Sequence, residues 1–351
     1  MKLKTIVILL ILLGALALAA YFAMEQNAPV KTTGDMGERL FENLPLEKLA
    51  GITIKSVGET IHLKKKQSLW VVEEQFDYPA DFPLITALIT KLVDAKTGRR
   101  FEASRDAILR LGLASPEDQG VAKDSQGVEI ELRDDEDTLF LRLILGKTRE
   151  VTAGAGGHYL MMDQDPVIHL VDQKFDALGT TSFDWIRKNL LDIKAEDIEK
   201  IFCFATDGSP VYALIRPEKN QWPTLVGQDA GMKLDQSKLD DLLTPLSPLG
   251  ITGVFGASED LDLSLMSFTH GFEYHLYDQT VIRVSPGKIL EGGEEKYVIQ
   301  AKVLAFPPEP GPASLDAKDP LHKNMDQWVC KVPQWKYKRF IPRVEDLFEK
   351  K

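Results

Sequence analysis

At 351 residues the chain is longer than one average domain, and 44% hydrophobic with 27% charged content marks a folded protein, not a disordered one. A net charge of −11 with no basic stripe argues against a nucleic-acid partner and against electrostatic adhesion to an anionic membrane. Two cysteines, Cys203 and Cys330, are too few for a disulfide-framework domain.

The first element is apolar. Lys2 and Lys4 precede an uncharged run from Thr5 to Met24, and Glu25 follows it. About 20 residues at ~1.5 Å each cross a hydrocarbon core of ~30 Å, so residues 1–24 are expected to form a transmembrane anchor, with the membrane as partner of residues 5–24. The lysines place the N-terminus in the cytoplasm. The expectation is a single-pass inner-membrane protein with its C-terminal bulk in the periplasm. A cleaved signal peptide ending near Leu18-Ala19-Ala20 competes with this. Against it, the run exceeds the ~7–15 residues of a typical signal core, and Tyr21 and Phe22 read as interfacial anchors. Both readings leave the bulk on the same side. No Cys follows the run, which excludes a lipoprotein. Residues 25–40 are polar, carry Pro29 and two glycines, and read as a tether.

Beyond the tether one pattern occurs twice. Leu46–Ile54 is a short turn leading into a strand, and Ala195–Cys203 repeats it. A second strand follows each, Thr60–Leu63 and Pro210–Ile215, then a tryptophan, Trp70 or Trp222. A helix comes next. Asp81 and Pro83 open the first, with Leu84, Ile85, Leu88, Ile89 and Leu92 at helical spacing. Asp235 opens the second, with Leu239, Leu242, Leu243 and Leu246 on one face. Alternating strands close each copy: Val128–Leu132, Leu139–Leu145 and Gly156–Met161 in one, Phe272–Leu276, Val281–Val284 and Tyr297–Ile299 in the other. The predicted fold class is α+β: an N-terminal transmembrane helix followed by two tandem repeats, 41–170 and 195–305, of an antiparallel sheet with one covering helix. Residues 171–194 read as a helical connector, with Ser182 capping a helix through Leu191. Residues 306–351 read as a Pro-rich segment and a tail whose last part, Tyr337–Phe348, ends in a short amphipathic helix. Cys203, in the run Ile201–Phe204, reads as a small buried side chain, with a Cys203–Cys330 bridge as the alternative.

Several of these features together resemble an uncharacterised domain-of-unknown-function family of membrane-anchored proteins, encoded beside gliding-motility-type ABC transporter subunits. The residues that carry the resemblance are the N-terminal run, Trp70 with Pro79-Ala80-Asp81, the connector Trp185–Leu191, and Gln327-Trp328-Val329 with Glu345–Phe348. The second copy departs from it: Lys233-Leu234-Asp235 stands where Pro-Ala-Asp would. The resemblance implies an architecture and a transporter neighbourhood, and no activity.

Chemical motifs are weak. Gly154-Ala155-Gly156-Gly157 lacks the Lys-Ser/Thr of a phosphate loop and precedes a strand, so it reads as a hairpin turn. His270, Glu273 and His275 share one strand, but His270 has the opposite parity, which is poor geometry for a metal. Asp134–Asp137 reads as a hairpin tip without the Gly and Glu of a calcium loop. His158, His169 and His322 have no nucleophile elbow to serve. Trp70 and Trp222 are expected to pack in the core. No catalytic, cofactor-binding or metal residue is therefore assigned, and no cofactor is expected. The expected function is a non-catalytic, membrane-anchored extracytoplasmic accessory or scaffold protein of an envelope complex, with protein partners in an ABC-type transport system. The alternative is an extracytoplasmic ligand- or polysaccharide-binding module. An envelope hydrolase is the third class.

Overall fold

The computed structural model describes residues 37–149, 156–163, 167–228, 232–256, 266–309 and 315–349. The expected anchor over residues 5–24 lies outside the described residues. Among the described residues no helix is long and apolar enough to cross a membrane.

In chain order the strands are β1 (Leu49–Ser56), β2 (Glu59–Lys66), β3 (Leu69–Val72), β4 (Tyr78–Pro79), β5 (Thr97–Glu102), β6 (Val128–Asp134), β7 (Leu139–Arg149), β8 (Gly157–Met162) and β9 (Val167–Val171). There follow β10 (Asn189–Leu191), β11 (Ile198–Ala205), β12 (Pro210–Ile215), β13 (Thr224–Leu225), β14 (Leu249–Gly250), β15 (Gly253–Gly256), β16 (Met266–Phe268), β17 (His270–Leu276), β18 (Val281–Glu291), β19 (Glu294–Ala305) and β20 (Trp328–Lys331). The longest described helix is Phe82–Asp94, of 13 residues.

This corrects the expected α+β class. The described residues are mostly antiparallel sheet, and the helices are short additions to it. The reason lies in the lengths: β18 and β19 run 11 and 12 residues, while the helix Gln236–Leu243 has only 8. Strand alternation therefore supplies most of the buried surface.

The chain forms two compact units: the described parts of Met1–Lys65 with Pro83–Thr181, and Lys66–Phe82 with Ser182–Lys351. In the first, the strands lie in the order β2-β1-β6-β7-β8-β9-β5. In the second they lie in the order β13-β12-β11-β17-β18-β19-β20-β15, with β16 beside β18. From β12 to β15 this second order matches the first position for position. Residues 66–82, with Trp70, belong to the second unit, and β20 joins its sheet from beyond residue 305.

Local chemistry accounts for the elements. Inward residues of β1, β2, β6 and β7, such as Ile54, Ile61, Ile130 and Leu143, are fully buried. The turn between β18 and β19 is Gly292-Gly293, with φ of 59° and 84°, the left-handed pair that a tight hairpin needs. Gly157 opens β8 because a Cβ there would lie 2.3 Å from the Val171 carbonyl oxygen. Its neighbours Gly154 and Ala155 lie outside the described residues. Asp235 caps the helix Gln236–Leu243 by accepting from the Ser237 N–H at 2.8 Å.

Three expectations fail locally. The helix expected from Ser182 to Leu191 is a 3-10 turn, Ser182–Trp185, and then β10. Backbone groups of Trp185 and Arg187 bond Asp81 and Pro79 instead, so they cannot close helical turns. The short helix expected at the end of Tyr337–Phe348 is a single 3-10 turn, Val344–Leu347, kept short by Pro342 just before it, and Gln334–Tyr337 forms a separate short helix upstream. Trp70 is 7% exposed and Trp222 is 46% exposed, so only the first packs inward. Cys203 and Cys330 are both buried free thiols.

Leu88 and Leu242 are 5% and 0% exposed on their helices. Leu88→Asp and Leu242→Asp should each cost about 4 kcal/mol or more, because each buries a charge without a partner. Thermal melts check this. Unchanged melting temperatures would show that these faces bear no core.

Candidate functional site

The outer face of the first unit's sheet carries an ionic lattice that follows from register. Thr53 lies opposite His62 on one side and Glu131 on the other, and Glu131 lies opposite Arg142. One row along, Gly51 lies between Lys64 and Arg133, and Lys55 pairs with Glu129. The Glu131 side chain is 3% exposed. It accepts from Arg133 Nη2 at 2.7 Å, from Arg142 Nε at 3.0 Å and from Lys55 Nζ at 3.2 Å. Glu129 accepts from Lys55 at 2.9 Å. Burial alone would raise the Glu131 pKa, but the hydrogen bonds from Arg133 and Lys55 and the charges of Lys55 and Arg142 overcome it and bring it to about 2. Lys55 and Arg142 are held above their ordinary values: burial opposes the charge, and the carboxylates more than offset it. Around this lattice opens a cleft of about 400 Å³, lined by Gly51, Thr53, His62, Lys64, Arg133 and Arg142 among others.

A second cluster in this unit involves His158. Its Nδ1 lies 3.2 Å from the Thr148 hydroxyl and 3.4 Å from the Phe175 N–H, and Thr148 donates to Asp176. Burial lowers the His158 pKa, against the Gly146 carbonyl and Asp176, which raise it. Neutral His158 thus accepts from Phe175 while Thr148 gives its proton to the carboxylate. The arrangement ties β7 and β8 to the segment that follows β9.

In the second unit, segments far apart in sequence meet. Ala80 bridges Ile186, the Asp81 N–H donates to the Trp185 carbonyl at 2.7 Å, and the Arg187 N–H donates to the Pro79 carbonyl at 3.0 Å. The Trp328 indole donates to the Phe76 carbonyl at 2.9 Å, and its ring meets Tyr78 edge-on with centroids 5.1 Å apart. Arg187 pairs with Asp319, and His322 Nδ1 lies 3.5 Å from the same carboxylate. The Tyr78 hydroxyl is buried with no hydrogen-bond partner among the described residues, and burial pushes its pKa well up. Burial also pushes both thiols, Cys203 and Cys330, up to about 12, so neither is a ready nucleophile.

The residues singled out from sequence are dispersed. Glu273 is held by Arg283 Nε at 2.9 Å, and His270 stands on the opposite face from Glu273 and His275. Among the described residues no group of three or more metal-type ligands converges. Asp134 accepts from the Glu136 and Thr138 amides, a hairpin tip. His158 and His169 lie on neighbouring strands of the first unit, and His322 lies in the second. The Glu131 lattice went unread because alternation gives the face of β6 but not which residues of β1 and β7 lie beside it.

The motifs that meet around Trp328 lie partly within residues 70–266, which match the family model described as Domain of unknown function (DUF4340). The chain belongs to that family. No curated protein and no solved structure matches it.

Two predictions follow from this geometry. A carboxylate with a depressed pKa stabilises the fold above its ordinary value, 4.5 for Glu131, and loses that contribution as pH falls toward about 2. Glu131→Gln should lower stability at pH 7 by about 2–3 kcal/mol and flatten the acid limb of a stability-versus-pH curve. An acid limb identical to wild type would refute this role. In the tail, Trp328 is 5% exposed and Trp335 57%. Trp328→Ala should cost about 3–5 kcal/mol and Trp335→Ala less than about 1, measured by urea denaturation.

Proposed function

We propose that this DUF4340 protein is a non-catalytic extracytoplasmic accessory or scaffold component of an envelope complex, with an ABC-type transporter of the gliding-motility class as partner. The observation that supports it is the edge of the second unit's sheet. β13, the terminal strand, is two residues long, and the Val226 N–H extends its pairing to the Ala213 carbonyl. Next to it in the chain, Trp222 and Val226 are 46% and 58% exposed. Apolar side chains beside an open strand edge are the usual ingredients of a protein contact, and tryptophan is a favoured anchor in one.

The uncharged run Thr5–Met24 supports the extracytoplasmic side, since an anchor and a cleaved signal both leave the bulk there. The sequence carries no nucleotide-binding loop, so the power for transport would come from the partner. The transporter itself enters through the family resemblance.

Isolation of the native protein in mild detergent tests this. Transporter subunits should accompany the wild type, and Trp222→Asp with Val226→Asp should lose them at an unchanged melting temperature. Recovery of the wild type alone would overturn the accessory reading. Retention of the subunits by the double variant would overturn the assignment of the edge. The second reading, a ligand-binding module, is favoured by the cleft on the first unit.

A further inference from the structure

His322 stands where two opposite charges meet. It lies on the short helix Pro320–Lys323 and is 9% exposed. Its Nε2 is 3.4 Å from Nη2 of Arg187, and its Nδ1 is 3.5 Å from the Asp319 carboxylate. Arg187 pairs with that same carboxylate. A guanidinium has donors and no acceptor. Nε2 can therefore meet Arg187 only as an acceptor, which fixes the ring as neutral with its proton on Nδ1.

These side chains join separate stretches of the second unit. The Arg187 N–H donates to the Pro79 carbonyl, and the Asp319 carboxylate caps the helix by accepting from the Leu321 N–H at 3.0 Å. The helix packs against β4 and β19. Pro79 and Arg187 lie within residues 70–266, which match the family model, while Asp319 and His322 lie beyond them. The cluster thus fastens a C-terminal segment to the matched domain.

Protonating His322 removes the acceptor. An N–H on Nε2 would point at an N–H of Arg187, and two cations would share one carboxylate. Burial, the largest influence, and the Arg187 charge hold the His322 pKa below its ordinary 6.5, although Asp319 and Asp316 pull it up. Tyr78 on β4 stays neutral, because burial pushes its pKa well up. The charged residues of β19 are paired: Glu294 with Lys296, Glu295 with Lys288, and Lys302 with Asp326. Lys318 and Lys323 flank His322 in sequence and add only positive charge. A histidine held below its ordinary pKa in the closed form stabilises that form above the ordinary value. The contribution is lost as pH falls through the lowered one.

We propose that Arg187, Asp319 and His322 form an acid-sensitive latch: with His322 neutral it holds the helix Pro320–Lys323 against β4, and protonation of His322 expels Arg187 and frees the helix. The device is local to the second unit and requires nothing of the β13 edge.

Hydrogen exchange on the full-length protein, corrected for the intrinsic effect of pH, tests this at about pH 7.5 and about pH 5. Peptides covering Pro79–Asp81, Trp185–Lys188 and Asp319–Asn324 should lose protection about fivefold or more at the lower pH, while peptides of β17 and β18 keep theirs. His322→Gln keeps an acceptor for Arg187 and cannot be protonated, so its loss should stay under about twofold. Arg187→Gln can turn either its amide N–H or its oxygen toward the ring, and should flatten the pH response in the same way. Melting temperatures at the higher pH confirm which variants fold. Unchanged protection of the wild type at the lower pH would overturn the latch. So would an even loss across the second unit, which is global destabilisation. Equal losses in the wild type and in either folded variant would assign the titration to another group and overturn it as well.

Discussion

The constraint on which the first unit depends is the burial of a carboxylate on what would otherwise be a solvent face. Glu131 is 3% exposed, and a lone carboxylate at that depth would be strongly destabilising. It is tolerated because cations from three strands reach it: Lys55 on β1, Arg133 on β6 and Arg142 on β7. That requirement works against register errors. A slip of one residue between β1 and β6 would send Lys55 to the apolar face and leave Glu131 short of a partner. The apolar pattern on the other face sets the same register, so the two faces are mutually consistent.

The second unit is organised differently. Its sheet is closed by strands from distant parts of the chain, with β20 lying between β19 and β15. Around Trp328 the contacts are backbone hydrogen bonds and ring packing, with Arg187 and Asp319 as the charged pair. Removing Trp328 would open space against Tyr78 and release the Phe76 carbonyl at once. One side chain thus joins residues 76–78 to the strand at 328–331. This explains physically why tryptophan, with both a large ring and an N–H, suits that position.

Much of the strand pattern was legible in the sequence, because alternation of period two is a direct consequence of one-sided burial. Val128, Ile130 and Leu132, and likewise Phe272, Tyr274 and Leu276, announce their strands. The balance of the fold was less legible. The helix Phe82–Asp94 was readable from Ile85, Leu88 and Leu92, yet helical spacing says nothing about how much sheet surrounds it. The connector misled for a specific reason. Phe183–Leu191 has residues compatible with a helix, but tertiary pairing with Pro79–Asp81 and with β14 claims its backbone. The Glu131 lattice was legible only as alternating charge. Its partners lie some 76 and 11 residues away, at Lys55 and Arg142, and no local pattern connects positions at such distances.

Trp70 and Trp222 show why local context does not determine environment. Both follow a hairpin and a polar turn, yet one is 7% exposed and the other 46%. β3 continues for four residues and pairs with β4, which buries Trp70 within a strand. Trp222 stands outside any strand, in the loop between β12 and the two-residue β13. A short edge strand is one way in which proteins discourage uncontrolled pairing, and charged side chains are another. At β13 the first device is present, and the residues flanking the strand are the exposed Trp222 and Val226. An edge kept short but left apolar permits a contact of limited extent, anchored by side chains more than by a long ladder of hydrogen bonds. A contact of that kind needs a partner with a shaped apolar recess, whereas the Glu131 face of the first unit presents ordered charge. The two surfaces therefore differ in chemical character.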